Sequence, residues 1–160
     1  MKNLIYFLIG FLAILLFGTI FNFIETPLPL NRIDFLFIYV TFLSVFIGSE
    51  RASILGMLLG FIEDVFWGRY LGFHALLLLC AGLCFGSFKD KIFKERFGAS
   101  VLLLMTGLSV KGLLSVFLYR TEADSMTDLW LRVAIILLVN LFVGILLYYP
   151  LKKLIRRIEQ

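Results

Sequence analysis

The sequence predicts an all-α, polytopic integral membrane protein with six transmembrane helices, and five spans as the alternative. Three observations predict it. Of 160 residues, 61% are hydrophobic and 16% are charged. Mean hydropathy is +1.01. The apolar residues also fall into runs of bilayer length, separated by short charged or proline-bearing stretches. Soluble domains carry about 25% charged residues, and a chain this short has too much surface to cover with so few polar groups. A water-soluble monomer and a disordered chain are excluded, and most soluble enzyme folds are disfavoured. The chain reads as one transmembrane domain over residues 1–160, ending in a basic amphipathic tail over 150–160.

The run from Leu4 to Ile24 carries no charge over 21 residues, enough to cross a bilayer core as a helix. A secretory signal would have a shorter apolar core ending at a small-x-small site, whereas this run ends Phe21-Asn22-Phe23-Ile24-Glu25. It is read as a retained first helix. Pro27 and Pro29 then favour an extended connection through Glu25–Arg32. Apolar residues resume at Ile33 and reach Ile62, interrupted by Ser49-Glu50-Arg51. One helix over 33–62 would be about 45 Å long, well beyond a hydrocarbon core of about 30 Å. Two short helices joined by a tight turn over 48–51 fit better; the single helix gives the five-span alternative. Leu71–Phe88 supplies the fourth span and Lys89–Arg96 a polar connection. Ala99–Leu118 is the fifth span, broken only by Lys111. Tyr119–Trp130 reads as a polar loop, Val133–Tyr149 as the sixth span, and Pro150 opens the basic tail.

Charge orients these spans. With six of them, Lys2, Arg51, Lys89, Lys91, Lys94, Arg96, Lys152, Lys153, Arg156 and Arg157 share one side, ten cations in all. Arg32, Arg69, Arg120 and Arg132, four cations, share the other, and Lys111 lies within a span. The positive-inside rule therefore predicts both termini in the cytoplasm. In the tail, Leu151, Leu154, Ile155 and Ile158 recur at helical spacing, with Lys152, Lys153, Arg156 and Arg157 on the other face. Such a segment lies along an anionic cytoplasmic leaflet. Anionic lipid also accounts for the net charge of +4, so no nucleic-acid partner is implied.

Polar groups at membrane depth are the candidate site residues, because a charge there costs roughly 2.5–3.5 kcal/mol even on the lenient insertion scale. Glu63 and Asp64 close the third span. Gly56 and Gly60 form a Gly-x-x-x-Gly pair on the same stripe as Ser53, Glu63, Asp64 and Trp67. This stripe predicts helix packing or a partner contact. Gly82 and Gly86 repeat the pattern on the fourth span, and Lys111 follows Gly107 by four on the fifth. Arg69 and His74 flank the start of the fourth span. Cys80 and Cys84 read as small packing residues. His74 is the only histidine, so no metal cluster is expected. There is no Gly-rich phosphate loop, His-Glu-x-x-His or Gly-x-Ser-x-Gly, and neither a catalytic activity nor a cofactor is predicted.

Several of these residues fall in a recognisable order. Arg32-Ile33-Asp34-Phe35-Leu36 follows a proline-bearing loop. Gly56-Met57-Leu58-Leu59-Gly60-Phe61-Ile62-Glu63-Asp64 comes next, then Trp67-Gly68-Arg69-Tyr70-Leu71-Gly72-Phe73-His74-Ala75-Leu76. Over residues 27–88 the chain resembles the MreD family of the bacterial rod-shape machinery. Asp34, Gly56, Gly60, Asp64, Leu71, Gly72, Ala75 and Leu76 match residue by residue. Arg32-Ile33 departs from the proline expected just before the aspartate. The resemblance implies a non-catalytic scaffold of the bacterial inner membrane. The partners it implies are MreC, the RodA glycosyltransferase and a class B penicillin-binding protein, with MreB filaments reached indirectly. Membrane lipid and a second copy of the chain, as a homodimer, are further partners compatible with the sequence. The family's fold has been likened to the six-helix substrate-binding subunits of energy-coupling-factor vitamin transporters, which supplies the alternative function.

Overall fold

A computed structural model describes residues 2–23, 34–67, 70–89, 97–119 and 126–159. Among the described residues six helices follow one another: α1 (Lys2–Phe23), α2 (Phe35–Ile47), α3 (Ser49–Trp67), α4 (Phe73–Gly86), α5 (Phe97–Tyr119) and α6 (Met126–Glu159). No strand occurs among the described residues. Two helices are long and apolar enough to cross a membrane by length and composition alone, over Phe97–Leu114 and Val133–Glu159.

The apolar stretch after the prolines is two helices. Gly48 separates them at φ +100°, a left-handed conformation that a residue with a Cβ rarely adopts. Its N–H still closes α2 on the Ser44 carbonyl at 3.0 Å, while its own carbonyl receives Ala52 N–H at 3.2 Å and opens α3. One residue thus ends one helix and begins the next, antiparallel one.

α2 is the central helix. It touches each of the other five, and eleven of its thirteen residues are buried, which leaves no solvent or lipid face. That is why its composition is apolar on all sides, with only Thr41 and Ser44 as small polar exceptions, rather than striped. Phe37, Phe42, Leu43 and Tyr39 build the core with Leu59 of α3, Leu78 of α4, Leu104 of α5 and Tyr148 of α6. Tyr39 donates its hydroxyl to the Tyr6 carbonyl at 2.9 Å and fastens α1 to this core.

α3 and α4 form the closest pair, and glycine makes the closeness possible. A Cβ at Gly56 would lie 2.9 Å from the Leu78 carbonyl oxygen, and one at Gly82 would lie 2.6 Å from Ser53 Cα. A Cβ at Gly86 would meet the Ser49 backbone. The two small-residue stripes read from the sequence therefore face each other, and α4 covers the glycine face of α3.

Three expectations shift. The loop expected over Tyr119–Trp130 is shorter, because Met126–Trp130 already belongs to α6. Residues 120–125 lie outside the described residues. Pro150 does not open a separate tail; α6 runs through it to Glu159. Proline removes one backbone bond, and here Tyr148, Leu151 and Ile155, all buried in the core, hold the helix course on either side of it. Cys80 and Cys84 are free and exposed rather than packed. They line a lateral groove of about 390 Å³ between α4 and α5, floored by Phe37.

Candidate functional site

The site is assembled from helix ends that stop inside the bundle. The first four N–H groups of any helix lack intrahelical partners. In α4 all four are accounted for. Phe73 N–H reaches the Tyr70 carbonyl at 3.3 Å and Leu76 N–H the Gly72 carbonyl at 2.9 Å. His74 N–H and Ala75 N–H are taken by the two carboxylate oxygens of Asp64, at 3.2 and 3.1 Å. The cap of α4 thus comes from α3. The local cap position is Gly72, at φ +91° and without a side chain to offer. Asp64 is 2% exposed, and its charge lies against the positive end of the α4 dipole. The imidazole Nδ1 of His74 is 2.7 Å from the same carboxylate.

Gly60 lies one turn before Asp64. A Cβ there would stand 2.7 Å from the His74 carbonyl oxygen and 2.8 Å from Ala75 Cα. Only a glycine lets the start of α4 come near enough for Asp64 to reach its N–H groups. Gly56, Gly60, Asp64, Gly72 and Ala75 are one device. It explains why these residue types recur at this spacing.

A second helix start lies beside the first. α2 begins at Asp34, opposite Lys111 and Asn140. At 1.5 Å per residue, Lys111 is about 12 Å inside the C-terminal end of α5, and Asn140 about 21 Å inside the N-terminal end of α6. The Asp34 N–H donates to Asn140 Oδ1 at 2.6 Å, and Asn140 anchors its own amide on the Ile136 carbonyl at 2.8 Å. The Asp34 carboxylate pairs with the Lys111 ammonium. Lys111 also lies over the Phe37 ring, 5.5 Å from its centroid. The cation left unassigned by the sequence is therefore held by an anion at the cap of α2 and an aromatic face within it.

Glu63 stands between the two helix starts, within electrostatic reach of Asp34, Lys111, His74 and Asp64. Its Oε2 is buried and accepts no hydrogen bond. Three carboxyl groups thus share one ammonium and one imidazole. No group of His, Cys, Asp or Glu among the described residues is arranged to hold a metal ion.

Asp34, Glu63, His74 and Lys111, expected as a candidate polar site, are brought together. Arg69 lies outside the described residues, as do Lys91, Lys94 and Arg96. Lys89, expected at the membrane surface, is turned inward. Its ammonium donates to the Ile47 carbonyl at 2.9 Å, and its chain passes over Gly48. It satisfies one of the orphan carbonyls at the end of α2. Lys152, Lys153, Arg156 and Arg157 line an open cleft of about 510 Å³ on α6. Asn140, 1% exposed, is the site residue that the sequence reading missed. The available signal was a lone amide in the middle of an otherwise apolar span.

Helices this apolar, holding their few charges against one another at depth, define a small helical integral membrane protein with an internal polar node. A family model described as rod shape-determining protein MreD matches residues 1–158. The chain belongs to the MreD family. No curated protein and no solved structure matches the chain.

Proposed function

We propose that the chain is a non-catalytic scaffold subunit of the bacterial cell-wall elongation machinery, binding MreC, RodA and a class B penicillin-binding protein, with MreB filaments reached indirectly. The observation that carries this reading is the family match over residues 1–158. The node supports it. Its capping carboxylate and its lysine are engaged by backbone N–H groups and by neighbouring side chains, as a structural joint requires. The groove between α4 and α5 is almost wholly apolar, a poor receptacle for a polar vitamin.

The same reading takes all six helices as spans, with both ends in the cytoplasm. The start of α1 and the end of α6 meet through Lys2 and Glu159, where Lys2 Nζ is 2.5 Å from the Glu159 carbonyl oxygen. The α2–α3 joint meets the end of α4 through Lys89. Among the described residues these ends carry Lys2, Arg51, Lys89, Lys152, Lys153, Arg156 and Arg157, as the positive-inside rule requires of a cytoplasmic face.

Two measurements test the proposal. Depletion of the protein in its host is expected to convert rods to spheres, and pull-down from native membranes is expected to recover wall-synthesis proteins. Rods that persist, or recovery of an ATPase module with its coupling subunit, would count against it. For topology, single cysteines at positions 89 and 153, in a chain with Cys80 and Cys84 replaced by alanine, should label only from the cytoplasmic side.

A further inference from the structure

The C-terminal turns of α6 carry more than a diffuse basic charge. Tyr149, Lys152, Lys153, Arg156 and Arg157 follow one another at helical spacing, so they form one stripe lining one open cleft. The opposite face is fixed. Tyr148, Leu151 and Ile155 are buried in the core, and Glu159, the one acid of this segment, is turned toward α1, where Tyr6 donates to its Oε1 at 3.1 Å. The cations therefore sit on a docked helix, not on a swinging tail, so ligand capture does not also have to order the backbone.

The cleft is also built at its rim. Tyr149, 68% exposed, stacks on Phe97 at 5.9 Å and 16°. The Lys152 ammonium lies 5.6 Å from the Tyr148 ring centroid, which fixes its direction. Below the aromatic rim the cations form two tiers, Lys152 with Lys153 and Arg156 with Arg157, about 6 Å apart along the axis. The uncharged run of α6, residues 133–151, ends at Lys152, which places the upper tier at headgroup level in a membrane.

We infer that this cleft is a binding site for an anionic phospholipid carrying two phosphates, of the diphosphatidylglycerol class, with one phosphate on each tier. The glycerol bridge between the two phosphates is comparable in length to the spacing of the tiers. Arg supplies forked hydrogen bonds to one phosphate and Lys a point charge to the other. The Tyr149 ring lies beside the acyl-chain roots at the interface. A lipid with one phosphate fills one tier only and loses the advantage of simultaneous engagement.

The inference rests on the membrane reading above, and on the basic end of α6 facing a leaflet. It is tested on the full chain in detergent micelles, where sidedness plays no part. A failure here touches the cleft alone, and a failure of topology shows only in the cysteine labelling. Native mass spectrometry would compare tetraoleoyl cardiolipin with dioleoyl phosphatidylglycerol at twice the molar amount, so that total charge is equal. Cardiolipin should be retained about tenfold better. The preference should vanish in K152Q/K153Q and in R156Q/R157Q, persist in K152R/K153R, and persist in R51Q, which removes a cation of the same side outside the cleft. Equal retention of the two lipids by the unsubstituted chain would overturn the inference without any variant. A preference that survives both glutamine pairs would overturn it too. Displacement of cardiolipin by millimolar pyrophosphate would show a site for a free phosphate ion instead of a lipid.

Discussion

Removing the carboxylate that caps α4 from α3 isolates the central claim about the node. Asp64→Ala deletes the acceptor of three hydrogen bonds, from His74 N–H at 3.2 Å, Ala75 N–H at 3.1 Å and the His74 imidazole at 2.7 Å. Bonds to a charged acceptor contribute about 1.5–3 kcal/mol each, and relief from burying the carboxylate returns several kcal/mol, so a net loss of about 2–4 kcal/mol is expected. His74→Ala removes one of the three and leaves both backbone bonds, and water can reach the partly exposed site, so its loss should be about 1.5 kcal/mol, the low end of that range. In the Asp64→Ala background the same His74 substitution should add little, because its partner is already gone. Equilibrium unfolding of the purified protein in mixed detergent–SDS micelles, followed by circular dichroism, measures all three. The reasoning fails if Asp64→Ala unfolds within 1 kcal/mol of the unsubstituted chain, or if His74→Ala is as damaging as Asp64→Ala.

The glycines should divide by what their missing Cβ would meet. Gly82→Ala, aimed at backbone, should lower stability by about 1–3 kcal/mol, while Gly10→Ala, aimed at the movable end of Leu59, should cost less than half of that in the same unfolding assay. Gly98→Ala, with open space around it, should be neutral or stabilising by up to about 1 kcal/mol. Gly72→Ala also meets no atom, yet should cost about 1–2 kcal/mol because of its left-handed backbone. Lys111→Met alone should destabilise by about 3–5 kcal/mol by leaving the Asp34 charge unpaired, and Asp34→Asn added to it should recover a large part. A double variant no more stable than Lys111→Met would show that the pair is not coupled.

Much of this architecture could be read from residue order. A charged interruption at Ser49-Glu50-Arg51, together with the length limit of a span, separated α2 from α3, and the structure places the break at the adjacent Gly48. The Gly-x-x-x-Gly pairs announced a close helix pair, and α3 against α4 is that pair. The pairing of the charges was not legible. Lys111 had carboxylates on two other helices to choose from, and spacing along a chain says nothing of rotation between helices. The partner of Lys89 was not legible either, because it is the Ile47 backbone carbonyl, which leaves no trace in sequence. Pro150 was overweighted: intrinsic preference yields to packing when buried residues on both sides hold the helix.

The contact between Lys2, Tyr6 and Glu159 also bears on how the chain is made. Its members lie 157 and 153 residues apart. At about 5–20 residues per second of synthesis, roughly 8–30 seconds separate the emergence of the first helix from that of its last partner. During that interval α1 can meet α2 and α3 but not the closing turn of α6. This contact therefore closes only after α6 has been made, and it sets a clock on the maturation of the bundle.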